Sequence, residues 1–436
     1  MSLVYRTVPD DDAHRTAYRR LLQYAFAPQR GPDHDDDPPE QPGEFEPRGL
    51  YARSDDAAAE TSDATDGRPP TADADPSALV VCGALLAFRM WIRGGWRSVG
   101  GVSAIASPPE RRRRGHVGTL LEGMHAELRG RDVAFAALWP FSHPFYRRFG
   151  YGRTNDDVAH EFPPEALDAP AATPSEGGTI RRLSVDDVDA LSTLHEAAAT
   201  EPLALRRSAD WWRLRIFRSW TDERYVYGWE DDAGTLRSYL AYRITDGDGG
   251  DGGRRLVVDY WGATDDEALR HLLAFLRNHD SQVTTVRLPA GDASLLDRLS
   301  DPDDADTTIR PGPMVRVVDV EAALSGLETP AADTGERVAI RLREPRSGRN
   351  DRTFVVGVDG ERTTCRRLED DEAAAGGSVD SGVTVELGAL SRLVVGSRSA
   401  SSLATLGAVD GDADAVARLD TLFPVERPEP YLRERF

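Results

Sequence analysis

The spacing of apolar and polar residues predicts a chain that alternates between strands and amphipathic helices. Residues 14–26 carry apolar side chains at mostly helical spacing with arginines opposite, which predicts a first helix. Residues 78–91 and 98–107 are rich in Val, Leu, Ile and Ala, which favours two strands. Because Gly94 and Gly95 lie between these segments, we expect a hairpin there.

A second helix is predicted over residues 115–129. Four apolar residues recur there at helical spacing: Leu120, Leu121, Met124 and Leu128. Gly130 follows and is expected to end the helix. Residues 133–138 are predicted to form a buried strand, and residues 141–151 to form a loop and turn that lead to another strand.

Polar segments interrupt this pattern and suggest domain boundaries. Residues 29–46 and 54–77 consist largely of Asp, Pro, Ala and Thr, which is typical of solvated loops or disordered inserts. Residues 50–53 between them favour a short strand. Residues 163–178, rich in Pro, Ala and Ser, are predicted to be an interdomain linker.

The chain is thereby divided into three predicted domains, at residues 1–165, 179–318 and 319–436. The second is expected to contain helices at 185–199, 211–217 and 265–278 and strands at 225–229, 236–244 and 256–261. The third is expected to contain strands at 338–342, 353–358 and 384–387 and helices at 390–394 and 413–423.

Composition narrows the functional classes. The chain has 436 residues, and 53 basic against 74 acidic residues give a net charge of -21. This charge argues against a nucleic-acid-binding protein, which needs a basic face. The apolar run at 78–88 is shorter than the roughly 18 residues that span a bilayer, and the first residues lack a signal-peptide pattern, so we expect a cytoplasmic protein without membrane association.

Two residue types are unusually scarce. The sequence has only Cys82 and Cys365, which provide neither a disulfide framework nor a four-cysteine zinc site and fit a reducing compartment. It has no lysine, so all 53 basic residues are arginine. Since molar salt screens self-repulsion between acidic groups, this composition suggests a haloarchaeal-like, halophilic protein; an acidic mesophilic enzyme is the alternative.

The segment with the strongest chemical signal is VGGVSAIASPPERRRRGHVGTLLEGM, residues 99–124. A strand is followed by a proline break, four arginines, a glycine and an amphipathic helix. Because a helix start presents unpaired N–H groups and a positive dipole end, this order predicts a pyrophosphate site. A solvated basic run is the alternative, which the strongly acidic composition disfavours.

This segment resembles the acetyl-coenzyme A loop of the GNAT acetyltransferases. Arg112 and Gly115 match its pattern, and Val117 occupies a position where Eis-type (enhanced intracellular survival) members tolerate an apolar residue. Pro109, six residues before Gly115, also fits that subfamily. The resemblance implies that acetyl-coenzyme A is bound by the arginine turn and by backbone groups of the preceding strand. The implied positions are Ile105, Ser107, Arg112, Arg113, Arg114, Gly115, Val117 and Gly118.

A second resemblance lies in PFYRRFGYG, residues 144–152. It implies that Tyr146 is the general acid that protonates the departing thiolate, which suits a phenol with an ordinary pKa of about 10. The other aromatic residues, Phe145, Phe149 and Tyr151, are expected to pack in the core. Phe26, on the first helix, either lines the acceptor pocket, as the resemblance implies, or packs in the core.

The end of the chain, LDTLFPVERPEPYLRERF, resembles the closing segment of Eis-type enzymes. There the terminal carboxylate acts in the first domain, which implies that Phe436 supplies the general base; a frayed terminus is the alternative. Residues 319–436 also resemble a sterol-carrier-type domain. We expect this domain to be a scaffold that positions the terminus, with lipid carriage as the rival function.

Together these signals predict an α+β fold with two GNAT domains, of mixed sheets flanked by helices, and a sterol-carrier-like domain. The second GNAT domain is expected to be degenerate, because its strand and helix at 256–278 lack the arginines and glycines. The predicted function is acetyl transfer from acetyl-coenzyme A to a small-molecule or peptide amine. A lipid carrier and a noncatalytic interaction protein are the alternatives.

Two further expectations concern metals and assembly. Asp410, Asp412 and Asp414 begin like a calcium loop, but Ala415 replaces the required glycine, so we expect no metal. The family resemblance implies a homo-oligomer.

Overall fold

The computed structural model describes residues 2–31, 40–53, 67–218, 223–247, 253–329, 337–344, 346, 348–369 and 382–436. The chain forms two compact units. The first consists of Met1–Pro38, Gly43–Thr154 and Pro313–Phe436, and the second of Pro39–Pro42 and Asn155–Gly312.

The described residues form ten α-helices, some of a single turn. In chain order they are α1 (Asp12–Phe26), α2 (His116–Gly130), α3 (His143–Arg147), α4 (Val188–Ala198), α5 (Ala209–Trp211), α6 (Asp266–Arg277), α7 (Val320–Leu324), α8 (Leu387–Val394), α9 (Ala400–Thr405) and α10 (Ala413–Leu422). None of these helices is long and apolar enough to cross a bilayer.

Nineteen strands are formed by the same residues. They are β1 (Leu3–Thr7), β2 (Phe45–Ala52), β3 (Leu79–Ile92), β4 (Gly95–Ala106), β5 (Phe135–Leu138), β6 (Gly152–Arg153), β7 (Asp156–Phe162), β8 (Thr179–Arg182), β9 (Tyr225–Glu230), β10 (Leu236–Asp246), β11 (Arg254–Ala263), β12 (Thr285–Ala290), β13 (Asp306–Pro311), β14 (Met314–Val317), β15 (Arg337–Arg343), β16 (Thr353–Asp359), β17 (Arg362–Arg367), β18 (Gly382–Glu386) and β19 (Val409–Gly411).

The first sheet has the order β1-β2-β3-β4-β5-β14-β6. Its centre is the predicted hairpin of β3 and β4, which is confirmed, with Arg93 and Gly94 in the turn. The first half of β3 is buried without interruption, as its unbroken apolar run requires of a central strand. Helix α2 packs on this sheet through Leu120, Leu121 and Met124, all fully buried.

Each of the two seven-stranded sheets contains a strand from a distant part of the chain. Strand β14 pairs with β5 and β6 in the first sheet, whereas β7 pairs with β12 and β13 in the second. The chain therefore passes between the two units at residues 154–155 and 312–313. Strand pairing sets these bounds, and the partners are too distant in sequence for local patterns to identify them.

The predicted linker at 163–178 is wrong. Short 3₁₀ turns at Pro164–Leu167 and Pro170–Ala172 place Ala166, Leu167 and Ala172 in the core of the second unit. The prolines that suggested a linker stand at the first positions of these turns, where a missing N–H costs little.

The second sheet has the order β13-β7-β12-β11-β10-β9-β8. Helices α4 and α6 pack on it, as predicted, and strands β9, β10 and β11 are confirmed. The predicted helix at 211–217 is instead the end of α5 followed by a π-helical turn, Trp212–Phe217. The polar strands β8 and β13 were not predicted, because their exposed alternation gives little apolar signal.

The third sheet, β17-β16-β15-β18-β19, belongs to the first unit and carries α8, α9 and α10. Its predicted elements are confirmed, while β17, β19 and α9 were missed. Asp412, from the calcium-like run, caps α10 by accepting a hydrogen bond from the Ala415 amide at 2.7 Å. The described residues contain no metal-binding cluster of three His, Cys, Asp or Glu residues.

Helix α2 ends at Gly130, as expected. Two other local expectations need correction. Residues 141–151 contain the short helix α3 rather than a loop alone, since Pro144 stands at its start and favours helical backbone angles. The short strand expected at 50–53 begins earlier, at Phe45.

Candidate active site

A bulge distorts β4 near its end. Cys82 pairs with Ala106 and Ala84 with Ser103, so the single residue between them on β3 faces two on β4. Ala104, one of those two, has a left-handed φ of 54°. Such a bulge bends the strand and redirects its backbone groups, a device often found beside functional sites.

The parallel ladder between β4 and β5 is short. It covers three residue pairs and ends where Gly101 pairs with Ala137. The residues of β4 beyond Gly101, including Ile105, lie outside this ladder. Their backbone N–H and C=O groups on this edge are therefore suited to bind an extended ligand.

The arginine turn leads directly into α2. Arg113 and Gly115 have left-handed φ values of 59° and 84°, and Gly115 precedes the first helical residue. No side chain caps this helix start, and a Cβ at Gly115 would meet no atom within 4 Å. The uncapped N–H groups and the exposed guanidinium groups of Arg113 and Arg114 have the charge and hydrogen-bonding capacity that suit an anion.

The other implied positions in this segment have different surroundings. Val117 is partly buried against the apolar core of the first sheet. A Cβ at Gly118 would lie 3.2 Å from the ring of Phe149, so glycine there allows close packing of α2 on that ring. Ile105 packs against the same core. The structure thus places Val117 and Gly118 on the buried side of the helix start.

Arg112 and Ser107 interact with each other. Arg112 donates from Nε to the Ser107 carbonyl at 3.0 Å, and its guanidinium lies 5.7 Å from the centre of the exposed Tyr24 ring. The Ser107 hydroxyl is buried and has no hydrogen-bond partner among the described residues. Because a buried hydroxyl normally has a partner, this atom is a candidate contact for a ligand.

The electrostatics of the turn are positive. Burial, together with Arg114 and Arg111, lowers the pKa of His116. His116 is therefore neutral at pH 7, and the positive charge of the turn comes from its arginines.

Tyr146 lies on α3 and is almost completely buried, with 3% of its surface exposed. The rings of Phe141 and Phe145 each lie 5.2 Å from its own ring, and that of Tyr151 lies 5.8 Å away. Burial raises the pKa of Tyr146 well above its ordinary value. The phenol is therefore protonated at neutral pH. The expected core packing of Phe149 and Tyr151 is confirmed, and Phe145 is partly buried there.

The carboxyl terminus folds back onto the first sheet. The ring of Phe436 packs edge-on against that of Phe88 on β3, with centroids 4.8 Å apart. A Cβ at Gly101 would lie 3.1 Å from Cε2 of Phe436, which places this ring where the β4–β5 ladder ends. A frayed terminus is thereby contradicted.

The residue after β5 holds the same segment. Trp139 donates its indole N–H to the Glu434 carbonyl at 2.6 Å, and the Arg435 guanidinium stands 4.4 Å from the centre of its ring. No sequence pattern indicates the roles of Phe88 and Trp139, because both belong to apolar stretches that core packing would equally explain.

Phe26 is 64% exposed at the last residue of α1, so the alternative that it packs in the core is wrong. Lining of an acceptor pocket by Phe26 stays a prediction. Cys82 and Cys365 are both free thiols; burial raises the pKa of Cys82 strongly and that of Cys365 to about 12. Both are protonated at neutral pH and unsuited to nucleophilic attack.

Three family models match the chain. Residues 5–154 and residues 203–317 each match a model described as an acetyltransferase (GNAT) domain, and residues 320–432 match a sterol carrier protein domain. The chain therefore contains two GNAT domains in tandem, and it is an acyltransferase enzyme. The predicted α+β architecture of two GNAT domains followed by a sterol-carrier-like domain is confirmed.

Two relatives are similar to this chain over part of its length. An uncharacterised N-acetyltransferase of Streptomyces avermitilis is 28% identical over 331 residues, 72% of this chain and 76% of that protein. Another from Streptomyces griseus is 29% identical over 157 residues, 33% of this chain and 38% of that protein.

Solved structures show the same fold. A protein of unknown function from Enterococcus faecalis, described as a probable N-acyltransferase, is 18% identical with a TM-score of 0.78. Eis1 from Mycobacterium abscessus is 21% identical with a TM-score of 0.71. Each of these similarities covers 100% of both chains.

Proposed function

We propose that this protein transfers an acetyl group from acetyl-coenzyme A directly to a primary amine on a small molecule or peptide. The observation that supports this proposal most strongly is the packing of Phe436 against Phe88 and Gly101. That contact holds the Phe436 ring where the β4–β5 ladder ends, which supports a role for the terminal carboxylate in the first domain.

The residues present fit acetyl-coenzyme A as a substrate. The uncapped start of α2 and the guanidinium groups of Arg113 and Arg114 suit a pyrophosphate, and Gly115 leaves space for it. The free Ser107 hydroxyl and the backbone of Ile105 suit the amide groups of pantetheine. Arg112 would first have to release the Ser107 carbonyl. No metal takes part in this scheme.

The chemistry requires two proton transfers. The amine nitrogen attacks the thioester carbonyl carbon, a C–N bond forms and the C–S bond breaks. The Phe436 carboxylate takes the proton that the amine loses, and Tyr146 donates its phenolic proton to the departing sulfur. Each such transfer contributes typically about 10² to 10⁴ in rate, with positioning of the two substrates adding more.

Moving the terminal carboxylate tests this scheme. We expect deletion of Phe436, or extension of the chain by two glycines, to lower kcat about 100-fold, because the base is displaced. The KM for acetyl-coenzyme A should change less than about threefold, since the donor site is intact. Phe436→Leu, which keeps the chain length and an apolar terminal residue with its carboxylate, is the matched control and should lose much less activity. If the deletion and the extension both leave turnover at the wild-type rate, the Phe436 carboxylate is not the general base.

Lipid carriage remains a second candidate, because residues 320–432 match a sterol carrier protein domain. A cavity of about 450 Å³ lies in this domain, and most of its lining is polar or charged: Asp319, Glu321, Arg349, Asn350, Arg352 and Arg367. Such a lining favours a scaffold over a lipid carrier. Organic extraction of the purified protein should therefore yield no stoichiometric lipid. A noncatalytic interaction protein would show no binding of coenzyme A by calorimetry.

The setting of the enzyme is also a proposal. We infer a cytoplasmic, halophilic homo-oligomer from the acidic, lysine-free sequence and the family resemblance. In a halophile, molar salt screens the repulsion among acidic side chains, so thermal unfolding should shift upward as salt rises. Unfolding by salt would contradict this proposal.

A further inference from the structure

Arg93 occupies the turn between β3 and β4 and is buried, with 3% of its surface exposed. Its backbone has a left-handed φ of 40°, which is uncommon for a residue with a side chain. A charged group buried in a strained turn is costly unless its hydrogen bonds are satisfied. The partners of Arg93 therefore matter.

Those partners belong to two segments near the end of the chain. Arg93 donates from Nε to the Val394 carbonyl at 2.6 Å and from Nη2 to the Leu393 carbonyl at 2.9 Å. Both carbonyls lie at the negative end of α8, which favours a cation. This pair of bonds fixes the guanidinium on α8.

The same guanidinium holds the segment that leads to the terminus. Nη2 also donates to the Pro424 carbonyl at 2.8 Å, and Nη1 donates to the Glu426 carboxylate at 3.1 Å. The ring of Phe423 lies 5.5 Å from the guanidinium carbon. We call residues 424–436 the tail, and Arg93 thus binds the first residues of the tail.

The far end of the tail, at Phe436, contacts β3, the strand that precedes Arg93. Phe88 lies five residues before Arg93 in sequence and contacts Phe436, while Trp139 binds the Glu434 carbonyl. The β3 region therefore contacts both ends of the tail. Arg93 binds the first residues of the tail together with Gly396, whose carbonyl accepts a hydrogen bond from the Glu426 amide at 3.0 Å. Burial lowers the pKa of Arg93 to about 10 against the opposing effect of Glu426, so the side chain is charged at neutral pH.

We propose that Arg93 is a positioning residue for the acetyl-transfer reaction: it fixes the start of the tail so that the Phe436 carboxylate reaches the amine. This inference rests on the proposed role of that carboxylate. Without Arg93 the tail samples more orientations, and the fraction of enzyme with the base in place falls. Donor binding at the arginine turn, on another part of the sheet, is unaffected.

A double-mutant cycle tests the proposal in the full-length protein. We expect Arg93→Met to lower kcat about 10-fold while the KM for acetyl-coenzyme A stays within about twofold. In a background that lacks Phe436, the same substitution should change kcat less than about twofold, because there is no base left to position. A residue that only supports folding would reduce activity equally in both backgrounds, and that result would overturn the proposal.

Arg97→Met is the matched control. Arg97 lies on the same hairpin and donates to the Gly326 carbonyl, which is outside the tail. The Arg97→Met variant should keep kcat within about twofold of the wild-type value. If Arg93→Met does not fold, Glu426→Ala removes the Nη1 contact with the tail and should lower kcat in the intact chain only. If deletion of Phe436 itself leaves turnover unchanged, the proposed role of the carboxylate as base is wrong. That outcome differs from a double-mutant cycle without coupling, which would contradict only the role of Arg93.

Discussion

The two GNAT domains use the same strand-then-helix order but begin their helices in opposite ways. In the first, α2 starts after four arginines at Gly115, with no side-chain cap. In the second, the Asp265 side chain caps α6 by accepting from the Ala268 amide at 2.9 Å, and Asp266 and Glu267 follow. Three carboxylates thus occupy the helix start where an anion would bind, so α6 repels a pyrophosphate.

The region beyond the short parallel ladder also differs between the two domains. In the second domain the parallel ladder of β11 and β12 covers only three pairs, as in the first. Beyond it, Trp261 donates its indole N–H to the Pro289 carbonyl at 2.8 Å and bridges the two strands. The two domains therefore share the short parallel ladder. In the second domain, a side chain of the domain itself occupies the space beyond that ladder. We interpret the second domain as one that keeps the fold without the site.

The largest expected effect tests whether acid catalysis belongs to the first domain alone. Tyr146→Phe should lower kcat about 100-fold with the acetyl-coenzyme A KM within about threefold, because only the donated proton is lost. Tyr227→Phe is the control, since Tyr227 packs its ring 4.9 Å from Phe275 in the second domain. Steady-state kinetics of both variants decide the matter. Equal losses would contradict the assignment.

A glycine pair tests the anion site. Gly115 and Gly234, in the second domain, have φ values of 84° and 76°, and neither has an atom within 4 Å of an added Cβ. Each change to alanine should therefore cost about 1–2 kcal/mol of stability through backbone strain. Only Gly115→Ala should also raise the Kd for acetyl-coenzyme A, by about 10-fold. Calorimetric titration with acetyl-coenzyme A distinguishes the two variants. An equal change of Kd in both would refute the proposed anion site at the start of α2.

The smallest effect concerns pH. Burial would raise the pKa of Glu46, but the guanidinium groups of Arg131 and Arg48 hold it below its ordinary value. The resulting stabilisation is present above the unfolded-state pKa of about 4.3 and disappears as pH falls through the lower, folded value. Arg131→Gln should thus cost about 1 kcal/mol at pH 7 and progressively less below about pH 4, as measured by denaturant unfolding.

Arg277→Gln in the second domain is the control for this pH dependence. Arg277 bonds to the exposed Asp168 carboxylate at 2.6 Å and 2.9 Å, and high salt screens such exposed pairs. Molar salt should remove its effect and leave most of the Arg131→Gln effect. A cost of Arg131→Gln that does not change with pH would contradict the electrostatic explanation.

Sequence patterns predicted the parts that depend on neighbouring residues. The hairpin of β3 and β4, helix α2 and the arginine turn follow from apolar spacing and from glycine and arginine positions within a few residues of one another. The exchange of β7 and β14 between sheets could not be predicted, because edge pairing depends on which distant strands compete for the same backbone groups. The buried aromatic residues beside Tyr146 were assigned correctly, while Phe26 was a surface residue that composition alone could not place.

By itself the sequence determined the order of the elements, the class of the fold and the arginine-rich character of one helix start. These properties arise from side-chain periodicity and local charge. Only the tertiary structure decided that Phe436 returns to Phe88, that Trp139 holds Glu434 and that Arg93 joins α8 to the tail. An arginine in a turn and a phenylalanine at a terminus resemble many others in a sequence, and they acquire roles only when burial selects their partners.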